Sequence, residues 1–203
     1  MNAGKPYSEA CDRNREPILA VLREVFSAED NVRLVLEIGS GTGQHAVYFA
    51  GHLPHLTWQS SDREEHHAGI NAWIDGAELA NARRPLTLDV RDTQWPVTTV
   101  DAVYTANTLH IMDSVSVEAT FHGVGRILRA GGTLAVYGPF NYARAFTSES
   151  NARFDALLRA RGVGSALRDF ESVDALARGA GLTLLRDVGM PANNRMLVWR
   201  KTA

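Results

Sequence analysis

Glycine occupies every second position of 39–43, inside the stretch VLEIGSGTGQHAVYFA (35–50), and its flanks leave few folds open. Before it runs VRLVLEIG (32–39), aliphatic and β-branched and closed by glycine, which predicts a short strand. After it, QHAVYFAGHL (44–53) has the apolar spacing of a helix. A strand that turns through bare backbone into a helix opens a βα unit. Glycine permits positive φ and lets a ligand lie directly on the main chain. The first amides of the following helix favour an anionic or polar group.

The rest of the chain continues the alternation. Helices are predicted over 16–26, 66–79, 117–128, 150–162 and 172–181, with Ser150 and Ser172 as N-caps. Strands are predicted over 56–62, 85–90, 100–107, 133–140, 182–190 and 195–201. Such alternation predicts an α/β fold with a doubly wound, mostly parallel seven-stranded sheet, here expected as one domain over 1–203. The last two strands are joined only by PANN, too short for a parallel crossover, so they are expected to pair antiparallel. In open sheets of this kind ligands bind beyond the carboxyl ends of the strands. That rule nominates 39–43, Asp62, Asp89 with Val90, 107–110 and 139–142.

Composition excludes several function classes. At 203 residues, 45% hydrophobic and 22% charged, the chain has an ordinary globular balance. Its net charge of −2 gives no overall basic field for nucleic acid. Cys11 is the only cysteine, so a disulfide framework is impossible and a reducing compartment is expected. The first residues lack the continuous apolar core of a signal peptide, and no run approaches the roughly 18 apolar residues of a membrane span. The histidines show no zinc-ligand spacing, so no metal is expected. The expectation is a cytoplasmic protein without a membrane or nucleic-acid partner, its oligomeric state left open.

The acids sharpen the ligand. Asp62 ends the second predicted strand, where a carboxylate can accept from both ribose hydroxyls. Asp89 ends the third, where it can accept from an adenine amino group. Glu37 stands two residues before the first glycine, a poor neighbour for pyrophosphate and a good one for an ammonium group. A dinucleotide fingerprint also needs glycine at the sixth position, which here is Gln44. The pattern asks for an adenosine with a cationic tail and no phosphates, which S-adenosylmethionine satisfies.

At these residues a resemblance to a known family emerges. The stretch 35–50 resembles motif I of the class I S-adenosylmethionine-dependent methyltransferases. RNREPIL (13–19), the run 39–62, ANTLHI (106–111), GPFNY (138–142), TSESNARFDALLRAR (147–161) and MPANN (190–194) together resemble the DUF938 family, also called methyltransferase-like 26. The resemblance spans nearly the whole chain. It implies the class I methyltransferase fold, S-adenosylmethionine as cofactor and S-adenosylhomocysteine as product. It places Glu37, Gly39, Ser40, Gly41, Gly43 and His45 around the methionine part, and Asp62 at the ribose. Asp89 and Val90 then fall at the adenine, and the Asn107 carbonyl at the amino group.

The acceptor side is read from the same strand ends. His110 follows the fourth strand and is the candidate base, a histidine being able to work near neutral pH. The amino-methylating [DN]-P-P-[FYW] tetrapeptide is missing there, the sequence being TANT, and no cysteine stands on that strand. Both absences narrow the acceptor, and the compact size of the chain leads to the expectation of a small molecule, methylated at O, N or S. The family resemblance implies that 1–16 folds over the cofactor as a lid, bringing Tyr7, Asn14 and Arg15 to the substrate. Tyr137, Phe140 and Asn141 border the same opening, with Asn151 and Phe154 as a far wall and Asn193 and Asn194 in the last turn. The alternatives are a non-catalytic cofactor-binding or interaction protein on the same fold, a nicotinamide oxidoreductase, which Gln44 and Glu37 disfavour, and a nucleic-acid or protein methyltransferase, for which the sequence offers neither a basic face nor a known acceptor motif.

Overall fold

A computed structural model describes residues 4–27, 29 and 31–202. Strands β1 (Leu34–Ile38), β2 (Thr57–Asp62), β3 (Ala82–Thr87), β4 (Val100–Ala106), β5 (Leu128–Asn141), β6 (Arg168–Asp169), β7 (Leu182–Met190) and β8 (Asn194–Lys201) form the sheet. Between and around them lie α1 (Glu9–Val25), α2 (Gln44–His52), α3 (His67–Ala77), α4 (Ser114–Ile127), α5 (Glu149–Arg159) and α6 (Phe170–Gly179). The main sheet has the order β3-β2-β1-β4-β5-β8-β7, with β6 pairing beside the end of β5. Only β8 is reversed, running antiparallel to both β5 and β7.

Two apolar layers form because successive strand side chains point to opposite faces. Val35, Ala102, Tyr104, Ala135, Tyr137, Met196 and Val198 pack under α1 and α2. Leu36, Ile38, Val103, Leu134, Val136, Phe140, Leu197 and Trp199 pack under α4 and α6. Strands covered on both faces read as nearly continuous apolar runs, as β1 and β4 do. Phe49, Trp58 and Tyr104 meet ring to ring at 5.3–5.6 Å, each pair adding about 0.5–1.5 kcal/mol beyond its buried area. This cluster lies under the carboxyl end of β1 and supports the site.

Several boundaries differ from expectation, among them α6, whose N-cap is Asp169 and not Ser172, and β5, which starts at Leu128 and not at residue 133. The first helix starts at Glu9, not at residue 16, and carries Pro17 in its interior. Acidic residues in its first turn suit the helix dipole, and Arg13–Glu9 and Arg15–Asp12 pairs brace the polar stretch. The segment 1–16 expected as a lid is helix from Glu9 onward, and its residues 1–3 lie outside the described residues. Strand β3 runs Ala82–Thr87 instead of 85–90. Its register against β2 shifts near Pro85, which has no N–H to donate and is tolerated on an edge strand at such an irregularity. Asp89 thus lies past the strand. The N-cap of α5 is Ser148, whose hydroxyl accepts from the Asn151 amide at 3.1 Å, and not Ser150.

Candidate functional site

The glycine loop joins β1 to α2. The amides of Gly39 and Ser40 both donate to the Ser61 carbonyl at 3.0 Å, and the Gly41 amide donates to Asp62 Oδ2 at 2.8 Å. All three glycines have positive φ, for different reasons. A Cβ on Gly39 would stand 2.9 Å from Thr108 Cγ2, and one on Gly43 2.9 Å from the Ile70 Cα, so these two allow close packing. Among the described residues a Cβ on Gly41 would meet nothing within 4 Å. Only the middle glycine faces open space.

Beneath the loop lies Glu37, 2% exposed. Its Oε2 accepts from Ser40 Oγ and from Trp58 Nε1, each at 3.0 Å. Burial pushes the carboxyl up to about 7, against the pull of these two donors and with a further push from Asp62. A buried carboxyl poised near neutrality has room for a cation.

Two cavities, about 670 and 660 Å³, flank the loop and share Gly39, Gly41, Ala106 and Asn107 on their walls. The first is lined by Asp62, Asp89, Val90 and His66. Asp62 Oδ1 also accepts from the Arg63 amide at 2.8 Å, and Asp89 Oδ1 from the Arg91 amide at 2.9 Å. Asn107, on the dividing wall, has φ +55, and its amide donates to the Tyr137 carbonyl at 2.8 Å. Asparagine tolerates this left-handed geometry better than most side chains.

The second cavity contains Glu37, Ser40, His45, His110, Asn151, Phe154 and Asn194. His45 Nε2 lies 2.7 Å from Asn14 Oδ1, and burial drives the ring down to about 4, so it is neutral. His110 is also neutral, lowered to about 4 by burial first and then by the charges of Arg168 and Arg161. Its ring meets Phe154 edge-on at 5.3 Å and makes no hydrogen bond among the described residues. Arg168 steadies the loop carrying it, donating to the carbonyls of Leu109 at 3.0 Å and of Met112. Asn151 Nδ2 donates to the Asn193 carbonyl at 3.3 Å, and Asn193 Nδ2 to Ser150 Oγ at 3.3 Å, tying α5 to the last turn.

Three residues expected at the substrate lie elsewhere. Phe140 is 2% exposed in the core under α4 and α6, because its strand position points to the far face. Tyr7 is 60% exposed and donates to Asp12. Arg15 pairs with Asp12 at 2.7 Å and covers the Tyr48 ring, away from both cavities. Asn14, Tyr137 and Asn193 stand behind the walls as supports. Asn141 is 8% exposed, and its Oδ1 has no hydrogen-bond partner among the described residues. Residues missed from sequence include Arg13, Ser8 and Thr42 on the second cavity. Extending the helix back to Glu9 would have found Arg13, since 10, 13 and 14 share a helix side. Among the described residues no group of three or more His, Cys, Asp or Glu could hold a metal ion.

Several solved structures of the same fold carry methyltransferase names. Mitomycin 7-O-methyltransferase MmcR matches with a TM-score of 0.81 at 19% identity, over 95% of this chain and 54% of that one. PigF with SAH matches at 0.76 and 16% identity, over 92% and 61%. An O-methyltransferase family 2 protein from Planctomyces limnophilus, in complex with apigenin, matches at 0.75 and 15% identity, over 93% and 62%. The chain thus spans little more than half the length of these proteins, and at such identities the likeness is one of fold. That fold is the class I methyltransferase fold. The model of the family described as protein of unknown function (DUF938) matches residues 5–201, and the chain belongs to that family.

Proposed function

We propose that the chain is an S-adenosylmethionine-dependent methyltransferase acting on a small-molecule acceptor at O, N or S. The observation that carries this reading is the open face of Gly41, set between the buried Glu37 carboxyl in one cavity and Asp62 in the other. A nucleoside with a cationic tail fits that arrangement, while a pyrophosphate would meet two acids. When bound, the cofactor supplies a methyl group already activated on a cationic sulfur, so the chain has mainly to position and desolvate. Asp62 would accept from the ribose hydroxyls, Asp89 and Val90 would border the adenine, and Glu37 with the Asn107 carbonyl would take the ammonium. Asn151, Phe154 and Asn194 would wall the acceptor, and His110, kept unprotonated by burial but thereby a weak base, would be the group placed to take its proton. The partner is then a small molecule. Among the described residues no helix is long and apolar enough to cross a membrane.

The test is calorimetric titration with S-adenosylmethionine, S-adenosylhomocysteine and NAD. Micromolar binding of the first two alone supports the reading, and binding of NAD alone ends it. Binding without turnover of any metabolite would instead favour a cofactor-binding protein that does no chemistry. Two variants refine the roles. Asp62→Ala is expected to weaken S-adenosylmethionine by about 1–3 kcal/mol, since Asp62 serves both the ligand and the Gly41 amide. His110→Ala is expected to lower turnover by about 10²-fold or more, the usual range for losing a proton-transfer group, with S-adenosylhomocysteine affinity unchanged. Turnover equal to that of the unaltered chain would dismiss His110 as a base.

A further inference from the structure

The cavity beside Glu37 carries only two formal charges on its walls among the described residues, the Glu37 carboxyl and the Arg13 guanidinium. Its two histidines are neutral. Arg13 stands on the cavity side of α1, one turn beyond Ala10, which lines the same cavity. Its present partner is Glu9, 3.2 Å away, in a pair whose side chains are 69% and 79% exposed. Solvent screens such a pair, so Arg13 is easily redirected. The other arginine of this turn, Arg15, is held by Asp12 and the Tyr48 ring. One buried acid and one exposed guanidinium in a single cavity match a zwitterion, the head group of an α-amino acid. Guanidinium suits a carboxylate because it can donate two parallel hydrogen bonds.

We propose that Arg13 grips the α-carboxylate of S-adenosylmethionine while Glu37 takes its ammonium, an assignment that rests on the cofactor reading above. The test compares S-adenosylmethionine with decarboxylated S-adenosylmethionine, which keeps the sulfonium and the ammonium and lacks only the carboxylate. Calorimetric titration of the full chain should show a preference for the intact cofactor of about 10- to 100-fold, the range for a charged hydrogen bond. Arg13→Met keeps good helix propensity at an exposed position, so its melting temperature should hold. It should lose that preference by weakening the intact cofactor alone, and Arg13→Lys should keep part of it. Glu9→Gln frees the guanidinium and should leave affinity equal or slightly higher. An Arg13→Met protein that retains the preference, or weakens both ligands alike, overturns the assignment while the cofactor reading stands. A wild-type chain that binds neither compound nor S-adenosylhomocysteine overturns both.

Discussion

A Gly41→Val protein is expected to lose S-adenosylmethionine binding outright while keeping its fold. Gly41 has φ +57, where a β-branched residue is strained, and the left-handed geometry costs about 1–2 kcal/mol. That cost falls on an exposed loop and should lower the melting temperature by about 2–4 °C per kcal/mol for a chain of this size. Among the described residues nothing lies within 4 Å of the Cβ position, so the side chain is added into open space. Their whole steric burden falls on whatever lies against the loop. Gly43→Ala makes the contrast. Its Cβ would press on the Ile70 Cα at 2.9 Å, backbone that cannot swing away, so stability should fall more than affinity per folded molecule. Titration and melting of the two variants side by side should give opposite rankings. Undiminished cofactor affinity in Gly41→Val would mean that the ligand does not lie on this loop.

That contrast marks how far sequence reasoning reaches. The spacing of 39–43 reveals that a ligand loop is present, yet it cannot tell which glycine serves the ligand and which serve Thr108 and Ile70, because both neighbours come from distant segments. The sheet was legible for a simple reason. Strands buried on both faces are unbroken apolar runs, and the short 191–194 link permits only an antiparallel partner. Edges were less legible. Pro85 and the register shift blurred β3, and two-residue β6 is too short to leave any period. Helix α1 was misjudged at its start because its first turns are polar. Their stability comes from Glu9, Asp12 and the arginines on one side and buried Asn14 on the other, not from an apolar stripe. At the site, residues on loops after β1, β2 and β4 could be placed by the strand-end rule. Phe140 could not, since a shift of one residue along β5 exchanges the cavity side for the core. The position of Glu37 in the chain likewise suggested a cation partner, but its near-neutral carboxyl depends on burial that outweighs the downward pull of Trp58 and Ser40, and only the folded chain supplies that burial.

That carboxyl yields the other large effect, and its sign differs between the free protein and the complex. Glu37 sits at about 7 in the fold against 4.5 for an ordinary glutamate. Between those values the folded chain keeps a proton that the unfolded chain has released. The stability tied to this group is therefore fully present below pH 4.5 and lost as pH rises through 7, about 3 kcal/mol in all. Glu37→Gln removes this dependence, because an amide oxygen can still accept from Trp58 and Ser40 and never ionises. Denaturant unfolding of both proteins from pH 4.5 to 8 should then show the variant gaining on the unaltered chain as pH rises, by about that amount, with the gain levelling off above 7. Ligand affinity should run the other way. An ammonium group prefers the ionised acid, so S-adenosylmethionine binding to the unaltered chain should weaken about tenfold per pH unit below 7. The variant should bind about 10- to 100-fold more weakly at pH 8, the loss expected for a charged hydrogen bond, and show no such slope. Parallel stability curves would mean that Glu37 is ionised in the free fold. A variant that binds as tightly as the unaltered chain would take the ammonium away from Glu37. Both results together would remove the reason for reading the acid before the glycine loop as a cation site, because a carboxyl that neither resists ionising nor attracts a cation has only Ser40 and Trp58 left to hold.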